Sequence, residues 1–333
     1  MIPNTGKGAL RFAVIGSFWL TEKMISVIDT SDKAVYAAQY SRSLERAREF
    51  VGDRDDISIY DNIDDLAKDE RIDAVYIASP NYLHYEHSKK MLLAGKHVLC
   101  EKPISVHPWQ YSELCELSNK NQLVYMEAMM NAHHPMLNEL SRIISEANGK
   151  IVGGNINFCK RSSKLDNYNK GIIASTFDKK CCGGALTDLG IYVISLLVRL
   201  FGVPNTICGK ATFGKGDADI TDALQFVYDD FTIGANISKV GTSVCPSEIM
   251  LEDRSILIGD VSRFNDIRIT CKEGSSVLRS ESSFEFCMKN ELDNFTGYAC
   301  KAQTDANYKK LEQTTLDEIN VLKMARDAIG YNF

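Results

Sequence analysis

The sequence predicts two domains in series: a doubly wound α/β domain with a parallel sheet, then an α+β domain with a mainly antiparallel sheet. Three observations predict it. The 333 residues suffice for two cores at about 100–200 residues each. Up to residue 126, short continuously apolar runs alternate with amphipathic stretches, the pattern of strands covered on both faces. After Gly149 the runs alternate or favour β-branched residues and are separated by turn signals, as in antiparallel sheets. The expected division is 1–126 and 127–333.

In the first domain the strand signals are Arg11–Ile15, Ala34–Tyr40, Ala74–Ala78, His97–Cys100 and Leu123–Met126. Helical patterns lie between them at Thr21–Asp29, Ser43–Val51, Ile63–Lys68, Leu83–Ala94 and Pro108–Asn119. The spacing is that of βαβ units. In the second domain a polar loop, Arg161–Lys180, precedes an apolar helix over Ala185–Phe201. Strands follow at Thr206–Phe213, Ile220–Tyr228, Thr232–Val240, Glu248–Leu251, Ser255–Gly259, Arg268–Cys271 and Ser276–Ser280. Helical patterns at Phe284–Lys301 and Leu316–Ile329 close the chain.

Composition excludes several classes. With 38 Lys plus Arg against 44 Asp plus Glu the formal charge is −6, which offers nucleic acid or an anionic membrane no general attraction. The longest apolar run, Gly190–Val198, is far below the roughly 20 residues of a bilayer span, and Met1–Arg11 has no apolar core of a secretory signal. Ten cysteines without a C-x-x-C pair fit a reducing, cytoplasmic location and no zinc ribbon. All six histidines precede residue 135 and none forms a metalloprotease motif, so no metal site is expected.

The turn Gly16-Ser17-Phe18-Trp19-Leu20 joins the first strand to a helix. A dinucleotide fold places its G-x-G-x-x-G turn there, with the pyrophosphate at the helix N-terminus. Only the first glycine is present; Phe18 and Thr21 stand at the other two positions, and Phe18 must point outward to leave the phosphates room. The second strand ends in Gln39-Tyr40-Ser41-Arg42, with no carboxylate between Lys33 and Leu44. A hydroxyl and a guanidinium there, with Arg46 one turn on, suit a 2′-phosphate rather than a 2′-hydroxyl, so NADP is preferred to NAD. Lys102, in Cys100-Glu101-Lys102-Pro103, lies at the carboxyl end of a central strand, where α/β folds bind ligands. Asp188 and Tyr192, four residues apart, share a helix face, and both are costly to bury without partners.

These residues, with Ser79-Pro80-Asn81-x-x-His84, Gly95-Lys96-His97-Val98-Leu99-Cys100-Glu101-Lys102-Pro103, Met126-Glu127-Ala128-Met129 and Gly183-Gly184-Ala185-Leu186-x-Asp188-x-Gly190-x-Tyr192, resemble the glucose–fructose oxidoreductase / inositol dehydrogenase (Gfo/Idh/MocA) family, in particular its trans-1,2-dihydrodiol dehydrogenase branch. Cys182 stands where the family usually has the first glycine of a G-G-G run. The resemblance implies a Rossmann domain and an open-faced antiparallel sheet used for homodimer or homotetramer contacts. It implies an NAD(P)-dependent dehydrogenase acting on CH–OH groups of a small sugar, cyclitol or dihydrodiol. The cofactor would be held by Gly16, Ser17, Phe18, Trp19, Leu20, Ser41, Arg42, Arg46, Ser79, Pro80, Asn81, His84, Glu101, Lys102, Pro103 and Glu127. Lys102, Asp188 and Tyr192 would be catalytic; either Tyr192 or Lys102 passes the proton, and Asp188 holds a substrate hydroxyl or orients Lys102. The substrate pocket is expected around Glu127–His134 and Asn167–Cys182. The alternative is a non-catalytic dinucleotide-binding regulator of the same fold; the incomplete glycine turn favours it, and the retained proton-transfer groups oppose it.

Overall fold

Continuously apolar runs need cover on both sides, and six strands obtain it in one parallel sheet. The computed structural model describes residues 8–301 and 305–333, which form two units. The first unit contains β1 (Leu10–Ile15), β2 (Ala34–Tyr40), β3 (Ser58–Tyr60), β4 (Ala74–Ile77), β5 (His97–Glu101) and β6 (Tyr125–Ala128). Their order is β3-β2-β1-β4-β5-β6, all parallel, the doubly wound arrangement. The crossovers are α1 (Trp19–Asp29), α2 (Leu44–Val51), α3 (Ile63–Lys68), α4 (His84–Leu93) and α5 (Pro108–Lys120). Ile15 pairs with Tyr40 on one side and with Ile77 on the other. The turn at Gly16 therefore opens between the carboxyl ends of β2 and β4, where the strand order reverses. The edge strand β3 carries no sequence signal: it has three half-buried residues and no apolar run.

The second unit begins at Met130. It contains α6 (Pro135–Ser145), α7 (Leu165–Asn169) and α8 (Ile191–Phe201), the last preceded by a π-helical turn, Leu186–Gly190. Its sheet is built from β7 (Ile151–Cys159), β8 (Thr206–Phe213), β9 (Asp219–Val227), β10 (Thr232–Ser238), β11 (Ser247–Leu251), β12 (Arg254–Ile258), β13 (Asp266–Cys271) and β14 (Gly274–Arg279). The order is β14-β13-β12-β11-β7-β10-β9-β8, antiparallel except where β7 and β10 run parallel. Along each central strand one face is buried (Ile156, Phe158, Leu224, Phe226, Ile233, Ile237) and the alternate positions Asn155, Ala223 and Asn236 are exposed, the period-two pattern of a sheet covered on one side. The central strand β7 was not foreseen, because Gly153-Gly154 and the asparagines at 155 and 157 interrupt its apolar pattern; α6 was likewise not foreseen.

Three expectations change. The division at 126/127 differs from the observed one, because Phe284–Gln313 groups with the first unit. The cause is the apolar stripe of α9 (Phe284–Lys301): Met288, Leu292, Phe295 and Ala299 are buried, with the Phe295 ring 5.6 Å from that of Phe12 in β1. The final helix, α10, covers Ala306–Ile329, longer than the expected Leu316–Ile329. The apolar stretch is also longer than the run Gly190–Val198: Lys179–Phe201 is long and apolar enough to cross a membrane by length and composition. Of its most apolar window 78% is buried inside the protein, and α8 is buried from Ile191 to Val198, as a core helix is.

Candidate active site

In the first unit the β1–α1 turn is held from within. Gly16 has φ +127, and a Cβ there would stand 3.0 Å from the Ala78 carbonyl oxygen and 3.2 Å from Thr21 Cγ2, so only glycine fits. Thr21, at the position of the missing third glycine, is fully buried; its hydroxyl accepts from Phe18 N (3.0 Å) and donates to Phe18 O (2.7 Å). Phe18 and Trp19 are 39% and 54% exposed, so their rings do not fill the turn, and Trp19 meets Phe284 edge-on. Buried Gln39 ties β2 to the turn: its amide donates to Gly16 O (2.5 Å) and Ser17 Oγ (3.3 Å), while its carbonyl accepts from the Tyr36 hydroxyl (2.8 Å). Just beyond β2, Ser41 is buried and donates its N–H to Tyr60 O. Arg42 and Arg46 are exposed, and neither makes an ion pair among the described residues.

At the ends of β4, β5 and β6 a second group converges. His84 is buried at the start of α4; its Nδ1 lies 2.9 Å from Pro103 O and its Nε2 2.7 Å from Ser79 O. It thereby joins Ser79-Pro80-Asn81 to Glu101-Lys102-Pro103. Burial lowers the His84 pKa against these carbonyl contacts, and the Lys102 charge lowers it further. Glu101 accepts from the Tyr76 hydroxyl at 2.6 Å, and Glu127, 3% exposed, accepts from Ile104 N at 2.9 Å. Behind them Glu291 of α9 is fully buried; burial, then the charges of Glu101 and Glu127, push its pKa well up, which favours the neutral acid. Lys102 itself is half-buried, one residue past β5.

In the second unit the Gly183-Gly184 turn fixes the start of the apolar helix. Gly184 has φ +125, and a Cβ would stand 1.9 Å from Asp219 Oδ1. Cys182, where the family's glycine is replaced, adopts a left-handed φ of 54, a conformation glycine takes without strain. Asp219 Oδ2 accepts from Leu186 N at 2.6 Å. Asp222, buried and facing the Asp219 charge, has its pKa pushed up to about 9, so it keeps its proton at neutral pH; burial raises the pKa of Asp219 as well. Asp188 lies in the π turn, a feature frequent at functional sites. Its Oδ2 accepts from Lys239 Nζ at 2.7 Å. Tyr192, 7% exposed, packs its ring on Phe158. Its carbonyl accepts from Asn131 Nδ2 at 3.1 Å, and Asn131 Oδ1 accepts from Ser195 Oγ.

Within the units the structure thus brings together Gly16 with Ser17, and Ser79, His84 and Pro103. Sequence reasoning missed Thr21, Gln39, Tyr76, Asn131, Asp219, Lys239 and Glu291. A polar residue inside an apolar strand or next to it, such as Gln39 in β2 or Lys239 after Ile237-Ser238, is the signal that was available.

The sequence profile of the oxidoreductase family with an NAD-binding Rossmann fold (GFO_IDH_MocA) matches residues 10–129. The chain is 32% identical over 265 residues to scyllo-inositol 2-dehydrogenase (NADP(+)) IolU of Bacillus subtilis, covering 80% of each chain. The chain belongs to the Gfo/Idh/MocA family. It is accordingly an oxidoreductase with an NAD-binding Rossmann domain. Human trans-1,2-dihydrobenzene-1,2-diol dehydrogenase is 26% identical over 245 residues, 71% of each chain. Among solved structures, KijD10, a 3-ketoreductase of Actinomadura kijaniata in complex with NADP and TDP-benzene, superposes with a TM-score of 0.84 at 18% identity, covering 96% of this chain and 98% of that one. That likeness is one of fold.

Proposed function

We propose that this Gfo/Idh/MocA oxidoreductase transfers a hydride between NADP(H), or less favourably NAD(H), and a carbinol carbon of a sugar, cyclitol or dihydrodiol-type alcohol. Lys102 and Tyr192 handle the proton, and Asp188 holds a substrate hydroxyl. The observation that carries the reading is the frame around Lys102. One residue past a central parallel strand, it is flanked by Glu101 and by Pro103, whose carbonyl is tied to His84. Ligands in open α/β sheets bind at such strand ends.

The residues present fit the dinucleotide. Glycine at 16 lets the turn pass close to the Ala78 carbonyl, and the N–H groups of Ser17, Trp19 and Leu20 would hold a pyrophosphate at the start of α1, that of Phe18 being taken by the Thr21 hydroxyl. Ser41 and Arg42, in a stretch without carboxylates up to Leu44, and Arg46 one turn on would bind a 2′-phosphate through charge-assisted hydrogen bonds. When bound, the nicotinamide supplies the hydride acceptor or donor. The chain supplies the matched proton transfer: as the carbinol C–H leaves as hydride, its O–H proton passes to Tyr192 as a phenolate or to Lys102 as a free amine, and the reverse occurs in reduction. Ionised Asp188 accepts a hydrogen bond from a neighbouring hydroxyl and fixes which carbon reacts. The half-exposed outer face of the second sheet supports a homodimer or homotetramer built through it.

Fluorescence titration with NADPH and NADH, followed by turnover on inositols, sugars and dihydrodiols, tests the reading. Tighter NADPH binding with turnover of at least one polyol is expected. Binding without turnover across the panel would favour a regulatory role, and absence of binding would overturn the proposal.

A further inference from the structure

We propose that Lys239 is a positioning residue for Asp188, fixing its carboxylate toward substrate from a site more than fifty residues away along the chain. The inference rests on the reading of Asp188 as a substrate-holding group. Lys239 follows β10 and is 1% exposed; lysines are almost never this buried unless paired. Its Nζ donates to Asp188 Oδ2 at 2.7 Å and to Thr176 O at 2.6 Å, and it lies 4.8 Å above the Phe177 ring. The backbone allows it little play: Lys239 N donates to Ile220 O and Lys239 O accepts from Ser162 N. A cation held on all sides is a fixed point, and the carboxylate that pairs with it inherits the fixed geometry.

The partner is built differently. The Asp188 side chain is 33% exposed while that of Lys239 is 1% exposed. A pair that served only packing would bury both members; here the cation is sunk in the unit and the anion is presented at its surface. The π turn that carries Asp188 is pinned a second time, by Asp219 at Leu186 N. Because Asp222 keeps its proton, it does not compete as an anion for the Lys239 charge. Lys239 thus fixes the place of the Asp188 carboxylate, ready to accept from a substrate hydroxyl, and joins it to the 176–178 loop through the Thr176 carbonyl.

The test compares Lys239→Met, Asp188→Asn and the double variant in steady-state turnover with the best polyol substrate, alongside NADPH titration. For Lys239→Met we expect turnover efficiency to fall about thirtyfold or more and the NADPH Kd to change less than about threefold. The double variant should be no worse than Asp188→Asn within about threefold, because the two residues act as one unit. Losses that multiply, or a Lys239→Met enzyme with unchanged kcat and KM, would overturn the proposal. Should the methionine variant not fold, Lys239→Arg carries the test: retention of activity within about tenfold is expected, and a loss equal to that of Asp188→Asn overturns it. An Asp188→Asn enzyme with full activity would instead refute the role of Asp188 itself, whatever Lys239 does.

Discussion

The carboxyl groups around Lys102 and the carboxylate of Asp188 are managed in opposite ways. Glu101 takes the Tyr76 hydroxyl, Glu127 takes the Ile104 N–H, and burial favours the neutral acid at Glu291 behind them. Asp188 receives a full positive charge from buried Lys239. Neutral donors and a neutral acid make a scaffold that tolerates burial. A paired cation keeps a carboxylate ionised at a surface where it can act. On the proposed reading, the same side-chain chemistry serves support around Glu291 and recognition at Asp188.

The sharpest way to break this contrast is to make the same change in both places. Asp188→Asn removes a working charge and should lower kcat/KM about a hundredfold, or about 2.7 kcal/mol. Glu291→Gln replaces a neutral acid by a neutral amide and should leave stability within about 1 kcal/mol, read by denaturant unfolding. Equal damage from both would end the distinction. A smaller effect is expected at Gln39. Gln39→Leu leaves the Tyr36 hydroxyl and the Gly16 carbonyl without the partner they now have, at a cost of about 1–3 kcal/mol, and NADPH affinity should fall with it.

Arg42→Ala sharpens the cofactor side: NADPH affinity should drop about tenfold, or 1.4 kcal/mol, with NADH affinity unchanged; equal losses would discredit the 2′-phosphate assignment. A separate test is the pH slope of stability. Folded Asp222 holds its proton up to about 9, against an ordinary value of 3.8. Between those limits the folded state binds more protons, so its contribution to stability falls as pH rises. Asp222→Asn should flatten the decline of the thermal midpoint from pH 5 to 9; an unchanged slope would show that Asp222 releases its proton early.

Legibility in the sequence follows the same contrast. The first unit's strands other than β3, and Lys102, were readable because a parallel strand and its carboxyl-end turn are contiguous, as in His97–Pro103. Even there, Gln39 and Thr21 replace missing glycines by contacts that a motif does not encode. The second unit's Asp188 was found by its place in a local string, yet Lys239, just past β10, pairs with it and Asp219 of β9 holds the nearby Leu186 N–H, both from far along the chain. Pairings of that range are fixed by sheet register, which Gly153-Gly154 in β7 conceals. Phe284–Lys301 was read as a helix with its observed limits, and only its allegiance was misjudged, because an apolar stripe does not say which core it joins.

The most direct test of the account is Lys102→Ala, assayed for NADPH binding and for turnover of a polyol that the wild type oxidises. Binding within about tenfold, or 1.4 kcal/mol, of wild type, with turnover abolished, is the predicted result. An alanine enzyme that oxidises the polyol at the wild-type rate would contradict it.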